Sequence, residues 1–198
     1  PAPMSLWEID FGEMRLSDGS RFEFFAVIDV GTSRLIYLEG SEGYNAETAL
    51  EAIARLFLLK GLPDYMRMDR DPRFVGSWKA DGFSSALLRF CRVLGVEVDV
   101  CAPRKPWQKG FVERVIKTLK YEIFPKYPMN DLGEARDALD EALFFYNSKR
   151  RHYGRACRGK TPDEAFPNLP TLPYVPDIVK PNAWLDRDHG RVFRRRID

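Results

Sequence analysis

Several ingredients are scarce in this sequence. Its 198 residues include only three cysteines (Cys91, Cys101, Cys157) and two histidines (His152, His189). An odd set without metal-ligand spacing supports neither a disulfide framework nor a zinc site. The cysteines read as reduced, Cys91 on an apolar helix face and Cys101 in an apolar strand. No apolar run approaches the ~20 residues that span a bilayer, and no basic-then-apolar leader opens the chain. A soluble, cytoplasmic protein with no membrane partner is expected. Internal repeats are missing as well.

What is present points to a folded chain with a packed interior. Hydrophobic residues make up 44% and aromatics 13%, enough for one sizeable core plus an appendage, in a chain too short for two full domains. The net charge of +2 conceals a strong asymmetry. Residues 1–103 carry 11 Lys/Arg against 16 Asp/Glu, whereas residues 104–160 carry 14 against 7. An acidic half followed by a basic block suggests a metal-binding region beside a face for a polyanion.

The element pattern is α/β. Alternation predicts strands at Leu6–Phe11, Phe22–Val30 and Arg34–Leu38, with turns at Asp18-Gly19 and Gly31-Thr32-Ser33. Links so short allow only an antiparallel meander. Asn45 caps a helix whose apolar set (Leu50, Ile53, Ala54, Phe57, Leu58) has a 3.6-residue period and ends at Gly61. Strand Tyr65–Met68, helix Ser84–Val93, strand Val96–Ala102 and helices from about Gln108 to Phe124 and Leu132 to Asn147 follow. The result is a five-stranded mixed sheet flanked by helices. Four prolines between Pro167 and Pro176 predict an extended C-terminal tail.

Three carboxylates stand where chemistry is done. Asp10 sits at the end of an apolar strand, with Glu8 on the same face. Asp69 closes a second strand, where the ligand sites of α/β sheets gather, although Asp71 two residues on competes with it. Glu113 follows a Pro- and Gly-containing loop and shares one helix stripe with Lys117 and Lys120. Each alone is ordinary; an isolated Glu–Lys pair contributes only ~0.3–0.5 kcal/mol. Together they would repel strongly unless cations joined them. Two Mg²⁺ ions (or Mn²⁺) roughly 3.5–4 Å apart would neutralise the cluster and serve in-line attack on phosphorus.

Taken in order, Trp7-x-x-Asp10, Asp69-x-x-x-x-Phe74 and Pro106-x-x-x-Gly110-x-Val112-Glu113-Arg114 resemble the three blocks of the retroviral-integrase and bacterial insertion-sequence transposase core. Tyr146-Asn147-x-x-Arg150-x-His152 and Thr161-Pro162-x-Glu164 are similar to the segment after that core in bacterial transposases. The resemblance covers roughly residues 5–166. It implies an RNase H-like fold, an Asp-Asp-Glu triad at Asp10, Asp69 and Glu113, two Mg²⁺ ions with DNA bound, and DNA contacts from Lys117 and Lys120. It further implies nicking at mobile-element ends and transesterification into target DNA by an assembly of copies near the nucleoid. Whether an ATPase helper takes part is not legible.

The sequence also departs from the family pattern. Forty-three residues separate Asp69 from Glu113, an unusually long spacing, with the extra length assigned to Gly76–Gly82. Asp69-Arg70-Asp71 replaces the usual Asp-Asn-Gly, and Asp69 is preferred for its distance to Phe74. The amino-terminal DNA-binding domain of full-length relatives is missing, as in a fragment or a diverged protein. The expected organisation is a catalytic core at 1–166, a linker at 167–182 and the start of a β module at 183–198, where Arg194–Arg196 would meet DNA.

Lys109, with Gln108, would reach a phosphate or an active-site loop, while Trp107 reads as a packing anchor. Arg150 and His152 would contact the DNA backbone, although His152 suits a packing role equally. Two other functions compete: a nuclease that cuts without joining, and a non-catalytic DNA-binding module.

Overall fold

The computed structural model describes residues 1–76, 85–102 and 109–174. Strand β2 (Arg21–Asp29) organises the interior. Phe22, Phe24, Ala26 and Ile28 enter one apolar cluster, Phe25 and Val27 enter another, and all six are buried. A strand apolar on both faces must lie inside a sheet covered on both sides.

The sheet order is β3-β2-β1-β4-β5, completed by β1 (Leu6–Arg15), β3 (Arg34–Ser41), β4 (Tyr65–Met68) and β5 (Glu97–Val100). The first three strands pair antiparallel, and β4 and β5 add on the β1 side in parallel. Helices α1 (Ala46–Lys60) and α3 (Ala86–Val93) cover one face, with Phe57 and Phe90 stacked at 6.0 Å. Helices α4 (Gly110–Thr118) and α5 (Leu132–Phe144) cover the other. The expected mixed sheet is therefore present, and no helix among the described residues is long and apolar enough to cross a membrane.

Boundaries differ in instructive ways. β1 runs four residues beyond Phe11, because Gly12–Arg15 keep pairing with Arg21–Phe24. Asp10 therefore lies inside a strand, not at its end. Gly12 is required there: a Cβ would fall 2.2 Å from the Phe24 ring. A short helix α2 (Pro72–Val75), capped by Asp71, replaces the expected loop. α4 continues into a π-helical turn, Leu119–Ile123, and α5 into another, Phe145–Lys149. Arg150, just past the second turn, grips Glu122 in the first with Nε and Nη2 at 2.8 and 3.1 Å.

The caps follow the expected signals. Asn45 and Thr48 form a reciprocal capping box on α1. Gly61 ends that helix at φ 85°, where a Cβ would meet Leu172 Cβ at 2.7 Å. That neighbour belongs to the Pro-rich tail. Leu169 and Leu172 pack on the α1 core, and the Leu62 N–H donates to the Pro173 carbonyl at 2.9 Å. The rest of the expected linker, the 183–198 module, Trp107, Gln108 and most of the Gly76–Gly82 insertion lie outside the described residues.

The Tyr146-to-Glu164 block clasps the open edge of the sheet. A bulge between Val27 and Ile28 carries the β2–β3 register from Tyr37 to Leu35. Asn147 covers the exposed backbone there, accepting the Leu35 N–H at 3.0 Å and donating to its carbonyl at 2.7 Å. Helix α6 (Pro162–Ala165) begins in a Thr161–Glu164 capping box, and its Asp163 receives Arg34 and Ser148.

Candidate active site

Sheet register brings the first two acids together. β1 and β4 run parallel with Glu8 beside Arg67. Continuing that register by two residues places Asp69 beside Asp10, where β4 ends and β1 goes on. Alternation then decides the face. Trp7 and Ile9 enter the α1 core, so Glu8 and Asp10 point to the α4 side.

Both carboxylates are oriented. Asp10 Oδ1 accepts the Phe11 N–H at 2.9 Å, and Asp69 Oδ1 accepts the Asp71 N–H at 3.0 Å. This leaves each Oδ2 aimed at a common point, and the Lys109 ammonium fills it, 2.9 Å from Asp10 and 2.8 Å from Asp69. Lys109 is buried, only 5% exposed. Burial alone would lower its pKa, but the two carboxylates outweigh that and hold it above the ordinary lysine value. Burial pushes the Asp10 carboxyl up; Lys109 opposes the push and Asp69 adds to it.

Glu8 fixes the start of the helix that carries Glu113. Lys109 occupies the N-cap position of α4 without a side-chain cap, which would leave the first N–H groups unpaired. Glu8 Oε2 accepts two of them, from Phe111 and Val112, each at 3.0 Å. A carboxylate at a helix N-terminus is also favoured by the helix dipole. Arg67 answers the buried charge of Glu8 and joins it to Asp99, so Glu8, Arg67 and Asp99 form a row across three paired strands. Desolvation raises the Glu8 pKa against these lowering contacts.

Glu113 sits in the first turn of α4, half-buried, and forms no ion pair with the described residues. Among the described residues no three Asp, Glu, His or Cys side chains are gathered into a ligand set for a metal ion. The structure thus joins Asp10 to Asp69 through Lys109 and leaves Glu113 outside that contact. Asp71 is otherwise engaged. It caps α2 through the Arg73 N–H and pairs with the Arg73 guanidinium, which also reaches Glu23 and lies 4.1 Å over Phe11. Burial would raise the Asp71 pKa, but Arg73 overrides it and holds the carboxyl below its usual range.

The other expected contact residues fall into two groups. Lys117 is exposed on α4 one turn beyond Glu113, and Lys120 is half-exposed in the π turn that follows. Arg150 is bound to Glu122. His152 is buried, its Nε2–H on the Tyr146 carbonyl at 3.0 Å and its ring edge-on to Tyr146. Next to the stripe lies a cleft of about 650 Å³, between the α4 face of Phe111, Arg114 and Thr118 and the segment 150–156. Arg114, Arg150, Arg151 and Arg155 line it, with no acidic residue among the described lining residues, and Tyr153 stands beside it 83% exposed.

Sequence reasoning had placed Glu8 on the Asp10 face without a role, and had sent Lys109 to a phosphate or a loop. It did not anticipate the roles of Arg114 or Asn147. The structure, which starts α4 at Gly110, puts Lys109 directly before the helix of Glu113.

A mixed sheet in this order, with acids side by side where its central parallel pair diverges, is the RNase H-like architecture. The chain belongs to the integrase core domain family, which it matches over residues 1–106 and, through a second description of that domain, over 94–162. It is 26% identical over 151 residues to the insertion element IS407 uncharacterized 31.7 kDa protein of Burkholderia multivorans, covering 76% of this chain and 52% of that protein. The chain spans about half the length of the curated relatives it matches.

Two solved structures share the fold. A chain of the simian T-cell lymphotropic virus intasome, solved with the PP2A regulatory subunit B56 gamma, aligns with a TM-score of 0.64 at 18% identity. The alignment covers 89% of this chain and 59% of that one. The HTLV-2 integrase catalytic core domain in complex with magnesium, in its trimeric form, aligns at 0.60 and 16% identity, covering 83% and 97%.

Proposed function

We propose that this chain is the catalytic core of a divalent-metal-dependent DNA recombinase that nicks the ends of a mobile element and joins them to target DNA. The observation that carries the reading is the convergence of Asp10 Oδ2 and Asp69 Oδ2 on one cation position. It lies at the head of the helix that bears Glu113.

The residues fit a divalent ion. Hard carboxylate oxygens, held by backbone N–H groups and desolvated in the case of Asp10, require positive charge at that point. Asp10 and Asp69 would hold it, with Glu113 as the further donor and two ions expected once DNA is bound. Magnesium, or manganese in its place, would supply neutralisation of the phosphate charge and a Lewis acid at phosphorus. The engagement of Asp71 with Arg73 and α2 favours Asp69 as the ligand.

The chain's own groups account for the rest. Glu8 keeps α4 seated so that Glu113 stays beside the sheet. Lys117 and Lys120, both beyond Glu113, offer charge to phosphates next to the reacting one. The arginine-lined cleft, with Tyr153 available for base stacking, continues that path for a DNA strand. In the joining step a 3′-oxygen forms the new bond to phosphorus as the target P–O bond breaks. The proton leaves the attacking hydroxyl and the displaced 3′-oxygen gains one, so bond count is conserved and no external energy source is needed. DNA ends and target DNA are the proposed partners, bound by more than one copy of the chain.

The test is Glu113→Gln in an oligonucleotide assay with Mg²⁺ and a free 3′-hydroxyl. Loss of joined product of at least 10³-fold, with DNA affinity kept within about threefold, is expected for a group acting in the transition state. Equal joining in the variant would overturn the reading. Cleavage without any joined product in the parent chain would assign it as a nuclease instead.

A further inference from the structure

We propose that Lys109 is a resident counter-ion of the carboxylate pair and that a divalent cation must displace it to bind. The proposal rests on the metal-site reading of Asp10 and Asp69 and adds to it the residue that competes with the metal.

Geometry leaves little room for both cations. Each Oδ1 is already engaged by a backbone N–H, so the oriented acceptors at the common point are the two Oδ2 atoms. Lys109 Nζ lies within 2.9 Å of both. A divalent ion drawing on the same pair would crowd the ammonium and repel it, in a site where Lys109 is 5% exposed and screening by water is weak. Charge balance runs the same way. Two carboxylates and one ammonium leave the pair at −1, a stable resting state for a site that would otherwise be −2 with Asp10 largely removed from water.

Displacement leaves the seat of Glu113 in place. Lys109 is the residue immediately before α4, and Glu8 holds the next N–H groups at Phe111 and Val112. The two anchors lie on either side of Gly110. When Lys109 lets go, Glu8 still seats the helix through Phe111 and Val112. The released ammonium would then stand beside the metal, facing the phosphate that the metal attracts. Lys109 is thus assigned two successive positions: on the carboxylates without metal, and toward substrate with it.

The experiment titrates Mn²⁺ into the 198-residue chain and its Lys109→Met variant by calorimetry, with Asp10→Asn as the control for the site. At least tenfold tighter Mn²⁺ binding by Lys109→Met is expected, together with a lower melting temperature in EDTA that Mn²⁺ restores. Lys109→Arg, which keeps the charge, should bind Mn²⁺ within about threefold of the parent. A second readout needs no variant. Brief acetylation of the parent chain, read by peptide mass spectrometry, should modify Lys109 slowly in EDTA and at least fivefold faster with saturating Mn²⁺, relative to Lys126 in the same sample.

Equal Mn²⁺ affinity in the parent and Lys109→Met, with binding lost in Asp10→Asn, would overturn the role of Lys109 while leaving the metal site standing. Unchanged acetylation on metal addition would overturn it in the same way. No Mn²⁺ binding by either the parent or Lys109→Met would overturn the metal reading and this proposal together.

Discussion

His152 shows how a residue suited to two roles is assigned by burial. It lies among arginines in the sequence, where a phosphate contact is reasonable. In the fold its ring is packed edge-on to Tyr146, and its Nε2–H serves the Tyr146 carbonyl. Burial lowers its pKa below the ordinary histidine value of 6.5, and Arg150 lowers it further. The unfolded chain therefore takes up a proton at a higher pH than the folded one. Stability contributed by the neutral ring is complete above pH 6.5 and is lost as pH falls toward the folded pKa. Urea unfolding at pH 7.5 and 5.5 should show a loss at the lower pH that shrinks in His152→Phe. An identical loss in that variant would assign the pH dependence to other groups.

At the scale of elements, the fold is held where one element completes the hydrogen bonding of another. Glu8 of β1 supplies the cap that α4 lacks, and Asn147 at the end of α5 answers the backbone of edge strand β3. An edge strand with open N–H and C=O groups invites pairing with another chain unless it is covered. Asn147→Leu keeps approximate volume but leaves the Leu35 N–H and C=O unpaired in a buried place. A loss of about 2–4 kcal/mol in denaturant unfolding is expected, since each orphaned buried group costs about 1–3 kcal/mol. A loss under 0.5 kcal/mol would show that water replaces the side chain.

The helices were legible as elements because their apolar periods are strong, and so were the α1 caps at Asn45 and Gly61; the closing turns of α4 and α5 were not. Both pass into π turns, and Glu122 in the first turn and Arg150 just past the second meet in space. The sequence presents that pair as unrelated residues.

Across the whole molecule the two charge blocks become two neighbouring regions. The acidic half builds the sheet and contributes Glu8, Asp10 and Asp69. The basic block builds α4 and the segment that walls the arginine cleft. Arg114 and Arg155 line that cleft without an acidic partner among the described lining residues. If a DNA strand follows it, replacing both by alanine removes about two phosphate contacts. The slope of log affinity against log salt for single-stranded oligonucleotides should then fall by about 1.4, with affinity weakened for all sequences alike. Fluorescence anisotropy from 50 to 300 mM salt would measure it. An unchanged slope would place the DNA path elsewhere.

The sequence by itself determined the architecture. Strand alternation, short meander turns and capped helices were enough to indicate a mixed five-stranded sheet flanked by helices. Those signals are local, and local periodicity survives in one dimension. The tertiary structure alone decided how the charges are matched. It put Asp10 inside a strand, drew Lys109 from a distant segment onto Asp10 and Asp69, gave α4 its cap from Glu8, committed Asp71 to Arg73 and buried His152. Each outcome depends on which groups lose water together. For Lys109 on Asp10 and Glu8 on α4, that is settled only when the sheet register and the packing of α4 bring residues about a hundred positions apart within hydrogen-bond reach.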